Sequence, residues 1–248
     1  MRLGYIDTLP LQPNELFIIA ESGSFSFEPL DKTEGLKVFH PNNDEDIHEL
    51  VRFYSKFFKD LFNPDHSEKF HSKCITFFGG SFNPWHDGHL ACTNLMEKYM
   101  GVDHELIIVP DISPWKNNQS ISLLKRWNLF QNVLSKSEHL VYPDFLFQDQ
   151  KNPTFHWISR LKKNREDLEV NLLIGFDSFC SLEKWYEARQ LIKLLNGLYI
   201  ASRNDIRTLR ELKQAKYKDI NPNLSIKFLG HHRHENVSST QLRQHKHK

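Results

Sequence analysis

Five β-prone and mostly apolar residues, Cys74-Ile75-Thr76-Phe77-Phe78, run without interruption into Gly79-Gly80-Ser81-Phe82, and a helical pattern begins near Asp87. A run this short and this apolar, closed by a glycine pair, reads as a buried strand of a parallel sheet. Glycines just past such a strand let backbone N–H groups approach a phosphate closely, and a following helix N-terminus adds partial positive charge. His86 and His89 stand three residues apart, so at a helix start they lie on one side. Two imidazoles beside a nest of amides suit a polyphosphate, to whose oxygens each can donate. A glycine pair alone is an ordinary turn, and two histidines alone are polar surface. Strand, glycines, histidines and helix together point to phosphate.

Downstream the chain keeps alternating. Strands are expected at Leu106–Val109, Leu140–Tyr142, Val170–Ile174, Leu198–Ala201 and Ser225–Leu229. Helices are expected at Asp87–Met100, Ser120–Leu134, Pro153–Lys163, across most of Asp177–Leu195, at Ile206–Tyr217 and at Ser238–His245. Such alternation implies an α/β fold, a Rossmann-like parallel sheet with helices on both faces and its ligands at the carboxyl ends of the strands.

The first part of the chain differs. Leu16–Ala20, the alternating Phe25 and Phe27, and Leu36–Phe39 read as strands. Asn43 is a candidate N-cap for a helix with Ile47, Leu50, Val51, Tyr54, Phe57, Phe58 and Leu61 at helical spacing. Residues 64–73 are polar and punctuated, which sets the expected division: a small α+β extension over 1–72 and the main domain over 73–248. The aromatic face Phe53, Tyr54, Phe57 and Phe58 is read as an inter-domain or dimer contact, so homo-oligomerisation through the extension is one expected role for it.

Composition narrows the function classes. The 248 residues carry a net charge of +1, which offers no large basic footprint, so no nucleic-acid partner is expected. Three widely spaced cysteines (Cys74, Cys92 and Cys180) make neither a disulfide framework nor a cysteine-based zinc site. No run approaches a membrane span, so no membrane partner is expected and the chain is read as cytoplasmic. His231, His232 and His234 are read as a solvated loop rather than a metal tract, since no acid or cysteine partners them at fixed spacing.

The string Gly79 to Leu90 is similar to the Gly-Gly-Ser/Thr-Phe-Asp/Asn-Pro-x-His-x-Gly-His signature of the HxGH nucleotidyltransferases, and most similar to that of the bacterial nicotinate-nucleotide adenylyltransferases. Further segments follow in the family's order over roughly 73–246. Ser113-Pro114-Trp115-Lys116 resembles a Pro-Pro-His-Lys loop. Pro153-Thr154-Phe155-His156 stands where the family has Pro-Ser-Tyr-Thr. Gly175-Phe176-Asp177-Ser178 resembles a Gly-x-Asp-Ser/Thr turn, and Trp185-Tyr186 the family's tryptophan segment. Val237-Ser238-Ser239-Thr240-Gln241-Leu242-Arg243 resembles its Ile-Ser-Ser-Thr-x-Ile/Leu-Arg element.

The resemblance implies the nucleotidyltransferase fold and an enzyme that joins ATP to a pyridine mononucleotide. Nicotinate mononucleotide would be the acceptor, in NAD biosynthesis, with Mg2+ bridging the phosphates. It implies His86, His89 and Arg243 as catalytic residues. Gly79, Gly80, Ser81, Phe82, Lys116, Gly175, Asp177, Ser238, Ser239 and Thr240 would bind ATP and its phosphates, and His156, Trp185 and Tyr186 the acceptor. No metal-ligating side chain is expected. Phosphoryl-type transfer needs positioning and charge neutralisation more than a covalent nucleophile, which fits the absence of a Ser-His-Asp or Cys-His arrangement. Two departures bear on substrate choice: His156 replaces the family's Thr and Trp115 its His. Nicotinamide mononucleotide or another phosphorylated acceptor therefore stays open as an alternative, as does a non-catalytic nucleotide-binding sensor or scaffold.

Overall fold

The computed structural model describes residues 17–21, 24–28, 73–110, 132–133, 136–137, 139–141, 153–202, 205–235 and 237. Strands β1 (Phe17–Glu21) and β2 (Ser24–Glu28) pair antiparallel with Phe17 opposite Glu28, as the short apolar runs at 16–20 and 25–27 anticipate. The expected strand at Leu36–Phe39, the helix after Asn43 and the closing helix at Ser238–His245 lie outside the described residues, as does the helix at Ser120–Leu134 apart from 132–133.

The main sheet is built from β3 (Cys74–Gly80), β4 (His104–Pro110), β5 (Leu140–Val141), β6 (Glu169–Gly175), β7 (Gly197–Ala201) and β8 (Ser225–Phe228). All neighbours run parallel, in the order β5-β4-β3-β6-β7-β8. The helices are α1 (Asp87–Glu97), α2 (Thr154–Asn164), α3 (Phe176–Ser181), α4 (Ala188–Leu194) and α5 (Arg207–Ile220). From β3 the chain moves outward one way through α1; from β6 it moves the other way through α4 and α5. Right-handed crossovers in opposite directions lie on opposite faces, so β3 and β6 flank the switch point of a doubly wound, Rossmann-like fold.

The two faces of β3 can be followed residue by residue. Phe77 points to one face and meets Trp157 of α2 edge-on, with ring centroids 4.7 Å apart. Phe78 points to the other and meets Phe82 at 5.1 Å. Both are buried, as are Ile107, Leu173 and Ile200 on neighbouring strands, so the central strands read as continuous apolar runs because both faces are covered. The pairing of β3 with β6 ends at Phe78 and Leu173; each strand then continues two residues, to Gly80 and Gly175, at the edge where folds of this kind bind their ligands.

One expected helix is broken. Residues 177–195 read as mostly helical, but α3 gives way to a 3-10 turn at Leu182–Lys184, Trp185 is extended (φ −69, ψ 156), and Glu187 takes a left-handed conformation (φ 50, ψ 37) before α4. No Gly or Pro marks this break, so the apolar periodicity runs straight through it. The polar helix expected at 206–217 is α5, and Tyr217 is its one fully buried side chain. It donates its hydroxyl to the Phe179 carbonyl at 2.6 Å. No helix among the described residues is long and apolar enough to cross a membrane.

Candidate active site

The site begins where β3 stops. A Cβ on Gly80 would fall 2.9 Å from Cε1 of Phe82, so the missing side chain is what lets that ring fold back over the strand end. Phe82 itself has φ 39, a left-handed conformation a bulky residue rarely takes. Burial of its ring, only 2% exposed, against Phe78 and Trp85 offsets that strain. The Trp85 backbone N–H donates to Asn132 Oδ1 at 3.0 Å.

These rings form a floor beneath His89. Its imidazole lies 4.9 Å from Phe82 at a right angle (89°) and 5.2 Å from Trp85. His86 is the N-cap of α1, and its Nδ1 accepts from the Gly88 N–H at 3.1 Å. The His86 N–H donates in turn to Nδ1 of His89 at 3.3 Å. The pair thus forms a reciprocal capping box, with imidazoles doing what Ser or Thr and Glu do elsewhere. Because each Nδ1 accepts from a backbone N–H, each ring carries its proton on Nε2. The helix start therefore sets the tautomers and leaves each ring an Nε2–H as its donor. The rings stack at 3.8 Å between centroids.

Gly88 has a steric duty. A Cβ there would lie 2.9 Å from Cε1 of His86, 3.0 Å from its Nδ1 and 3.3 Å from the His234 carbonyl oxygen. The segment after β8 thus packs on the first turns of α1, and His232 Nε2 reaches Cys92 Sγ at 3.7 Å. His231 is exposed, as the reading of a solvated loop expects, whereas His232 and His234 are half-buried because helix packing, invisible in local composition, holds that part of the loop down.

At the neighbouring strand end, Gly175 is the N-cap of α3 and Asp177 lies exposed in its first turn. Among the described residues, a Cβ on Gly175 would meet nothing within 4 Å. Gly79 is exposed and Ser81 half-buried at the end of β3. The expected acceptor residues divide. His156, exposed in the first turn of α2, stands edge-on to Tyr186, with centroids 4.9 Å apart. Trp185 is half-buried and packs on the core, so the exposed ring beside His156 is Tyr186. Glu183 braces this turn by pairing with Lys213 (2.8 Å) and Lys216 (2.7 Å) of α5, and those lysines hold its carboxyl down at about 2. Lys116, Ser238, Ser239, Thr240 and Arg243 lie outside the described residues; Val237, just before Ser238, donates its N–H to the His234 carbonyl at 3.1 Å.

The family model described as cytidylyltransferase-like matches residues 77–245. The chain belongs to that family. Among its relatives is a protein named "Probable nicotinate-nucleotide adenylyltransferase" from Pelagibacter ubique (strain HTCC1062), 26% identical over 68% of this chain and 91% of that protein. Another of the same name, from Campylobacter fetus subsp. fetus (strain 82-40), is 34% identical over 53% of this chain and 73% of its own length. The fold is also that of the Plasmodium falciparum nicotinic acid mononucleotide adenylyltransferase complexed with NaAD, at a TM-score of 0.50 and 19% identity over 69% of this chain and 83% of that one.

This cytidylyltransferase-like chain is a nucleotidyltransferase, and its geometry serves such chemistry without a covalent nucleophile. It has two imidazoles held by backbone N–H groups at a helix N-terminus, beside the carboxyl ends of β3 and β6. Gly88, Phe78, Trp85 and Glu183 are the supporting residues that sequence reasoning left without a role. Spacing held a signal for one contact: His86 and His89 stand at the same interval as the two side chains of a capping box. Cys74, at the far end of β3, takes no part. Burial pushes its thiol up to about 11.

Proposed function

We propose that this chain transfers AMP from ATP to nicotinate mononucleotide, giving nicotinate adenine dinucleotide and pyrophosphate. A 5′-phosphate oxygen of the acceptor bonds to the α-phosphorus of ATP, and the bond from that phosphorus to the pyrophosphate oxygen breaks. The observation that carries the reading is the backbone-locked pair His86 and His89 at the N-terminus of α1, beside the open ends of β3 and β6. Their Nε2–H groups would neutralise charge on the transferring phosphoryl group, and Arg243 with Ser238, Ser239 and Thr240 would hold the triphosphate. The names of the relatives support nicotinate mononucleotide as acceptor, and the His156–Tyr186 pair offers an aromatic face and an imidazole for a pyridine ring and its carboxylate. Mg2+ would neutralise the polyphosphate. The ion would be carried mainly by phosphate oxygens and water.

Purified protein with ATP, Mg2+ and a panel of acceptors tests this. Nicotinate mononucleotide should release pyrophosphate fastest. Faster release with nicotinamide mononucleotide would move the assignment to the amide, a reading that the imidazole of His156 keeps in play; inactivity with both would refute a pyridine acceptor.

A further inference from the structure

Beyond β8 the chain turns at Gly230, whose φ of 89 suits glycine, and its carbonyl accepts from the Ser202 N–H at 3.3 Å, just past the end of β7. The turn His231–Glu235 therefore starts at the carboxyl edge of the sheet, where ligands of such folds bind. It is braced from within. Glu235 Oε1 accepts from the His232 N–H at 2.9 Å and lies 2.7 Å from Nδ1 of His231. The His234 N–H donates to Nδ1 of His232 at 3.2 Å. Arg233 Nε donates to Nε2 of His234 at 2.8 Å, which fixes the plane of an otherwise exposed guanidinium. The turn is also seated: the His234 carbonyl abuts Gly88 next to the His86 ring, and His232 reaches Cys92. A permanent cation with a planar fork of donors is thus held on a rigid turn against the helix whose start carries both imidazoles.

We propose that this turn is a further wall of the nucleotide site and that Arg233 binds the β- and γ-phosphates of ATP, and the pyrophosphate they become. This rests on the adenylyl-transfer reading for its ligand. It adds a cation that belongs neither to the histidine pair nor to the Ser238-Ser239-Thr240…Arg243 element. His234 is its positioning residue.

Calorimetric titration of the full chain with ATP, AMP and inorganic pyrophosphate tests it without any acceptor. Arg233→Ala should weaken ATP and pyrophosphate about tenfold each, the scale of one charge-assisted contact to phosphate, and leave AMP unchanged. Arg233→Lys should recover part of the loss, because a point charge cannot fork. Lys218→Ala, a cation removed at the far end of α5, should change nothing. Unaltered ATP and pyrophosphate binding in Arg233→Ala would overturn the proposal, as would an equal loss of AMP or a wild type that binds no ATP. Adenylyl transfer fails separately, if wild-type protein binds ATP and no pyridine mononucleotide releases pyrophosphate.

Discussion

The imidazoles of His86 and His89 lie stacked, 3.8 Å between centroids and 24° between planes, each with Nδ1 accepting from a backbone N–H at the start of α1. One pair of side chains therefore caps a helix and, in the proposed reaction, would also supply two donors. The two duties separate by substitution. His86→Asn keeps a good N-cap, so its unfolding free energy should stay within about 0.5 kcal/mol of wild type, while His86→Ala should lose about 1 kcal/mol. Turnover should fall in both by roughly 10²- to 10³-fold. Denaturant titration beside steady-state rates reads this; near-wild-type turnover in His86→Asn would show that only the cap matters.

Gly88→Ala tests the stack from the other side. In an exposed helix Ala gains about 1 kcal/mol over Gly. Here its methyl would press on the His86 ring, and the ring must turn or shift. The expected outcome is a protein that melts close to wild type and is slower by about 10²-fold, the order that a misplaced catalytic group costs. A variant that keeps its rate would mean that the ring can move without consequence.

On the acceptor side, Tyr186→Ala removes the exposed ring that meets His156 edge-on. Its KM for the mononucleotide should rise about fivefold while the KM for ATP is unchanged, because one aromatic contact with a ring is worth about 1 kcal/mol. His156→Thr should shift the ratio of kcat/KM between the acid and amide forms of the acceptor. If the ratio holds, His156 does not read that group.

Glu183 gives a pH signature. Its carboxyl titrates at about 2 in the folded protein, held down by Lys213 and then Lys216, against an ordinary 4.5. A depressed folded-state pKa contributes stability above the unfolded value, and that stability is lost as pH falls through the folded one. The difference in melting temperature between wild type and Glu183→Gln should therefore be full above about pH 5 and vanish towards pH 2. A difference that does not change across that window would show that the lysines add nothing.

The sheet was legible because its central strands are buried on both faces. CITFF and VNLLI are continuous apolar runs, and only a parallel sheet covered twice needs them. Every described strand lies within two residues of its expected bounds. The break at Trp185–Glu187 was not legible: its dihedrals answer to packing, with the turn braced by lysines some thirty positions downstream. At the site, His86, His89 and the glycines stood out by type and spacing. Gly88 was visible only as part of a motif, because its task is defined by a ring two positions earlier and a carbonyl far along the chain. The same holds for Tyr217, which on its helix looks like one more polar-face residue and is the most buried side chain of α5.

Phe77 and Phe78 are consecutive, yet one supports α2 and its His156 while the other supports the floor beneath His89. In the proposed reaction the two substrates would therefore be held from opposite sides of a single strand, whose described end is Gly79-Gly80. A bisubstrate inhibitor for this enzyme must straddle that strand end. Its linker should be slim and flat where it passes over the glycines, and bulk belongs only at its two ends.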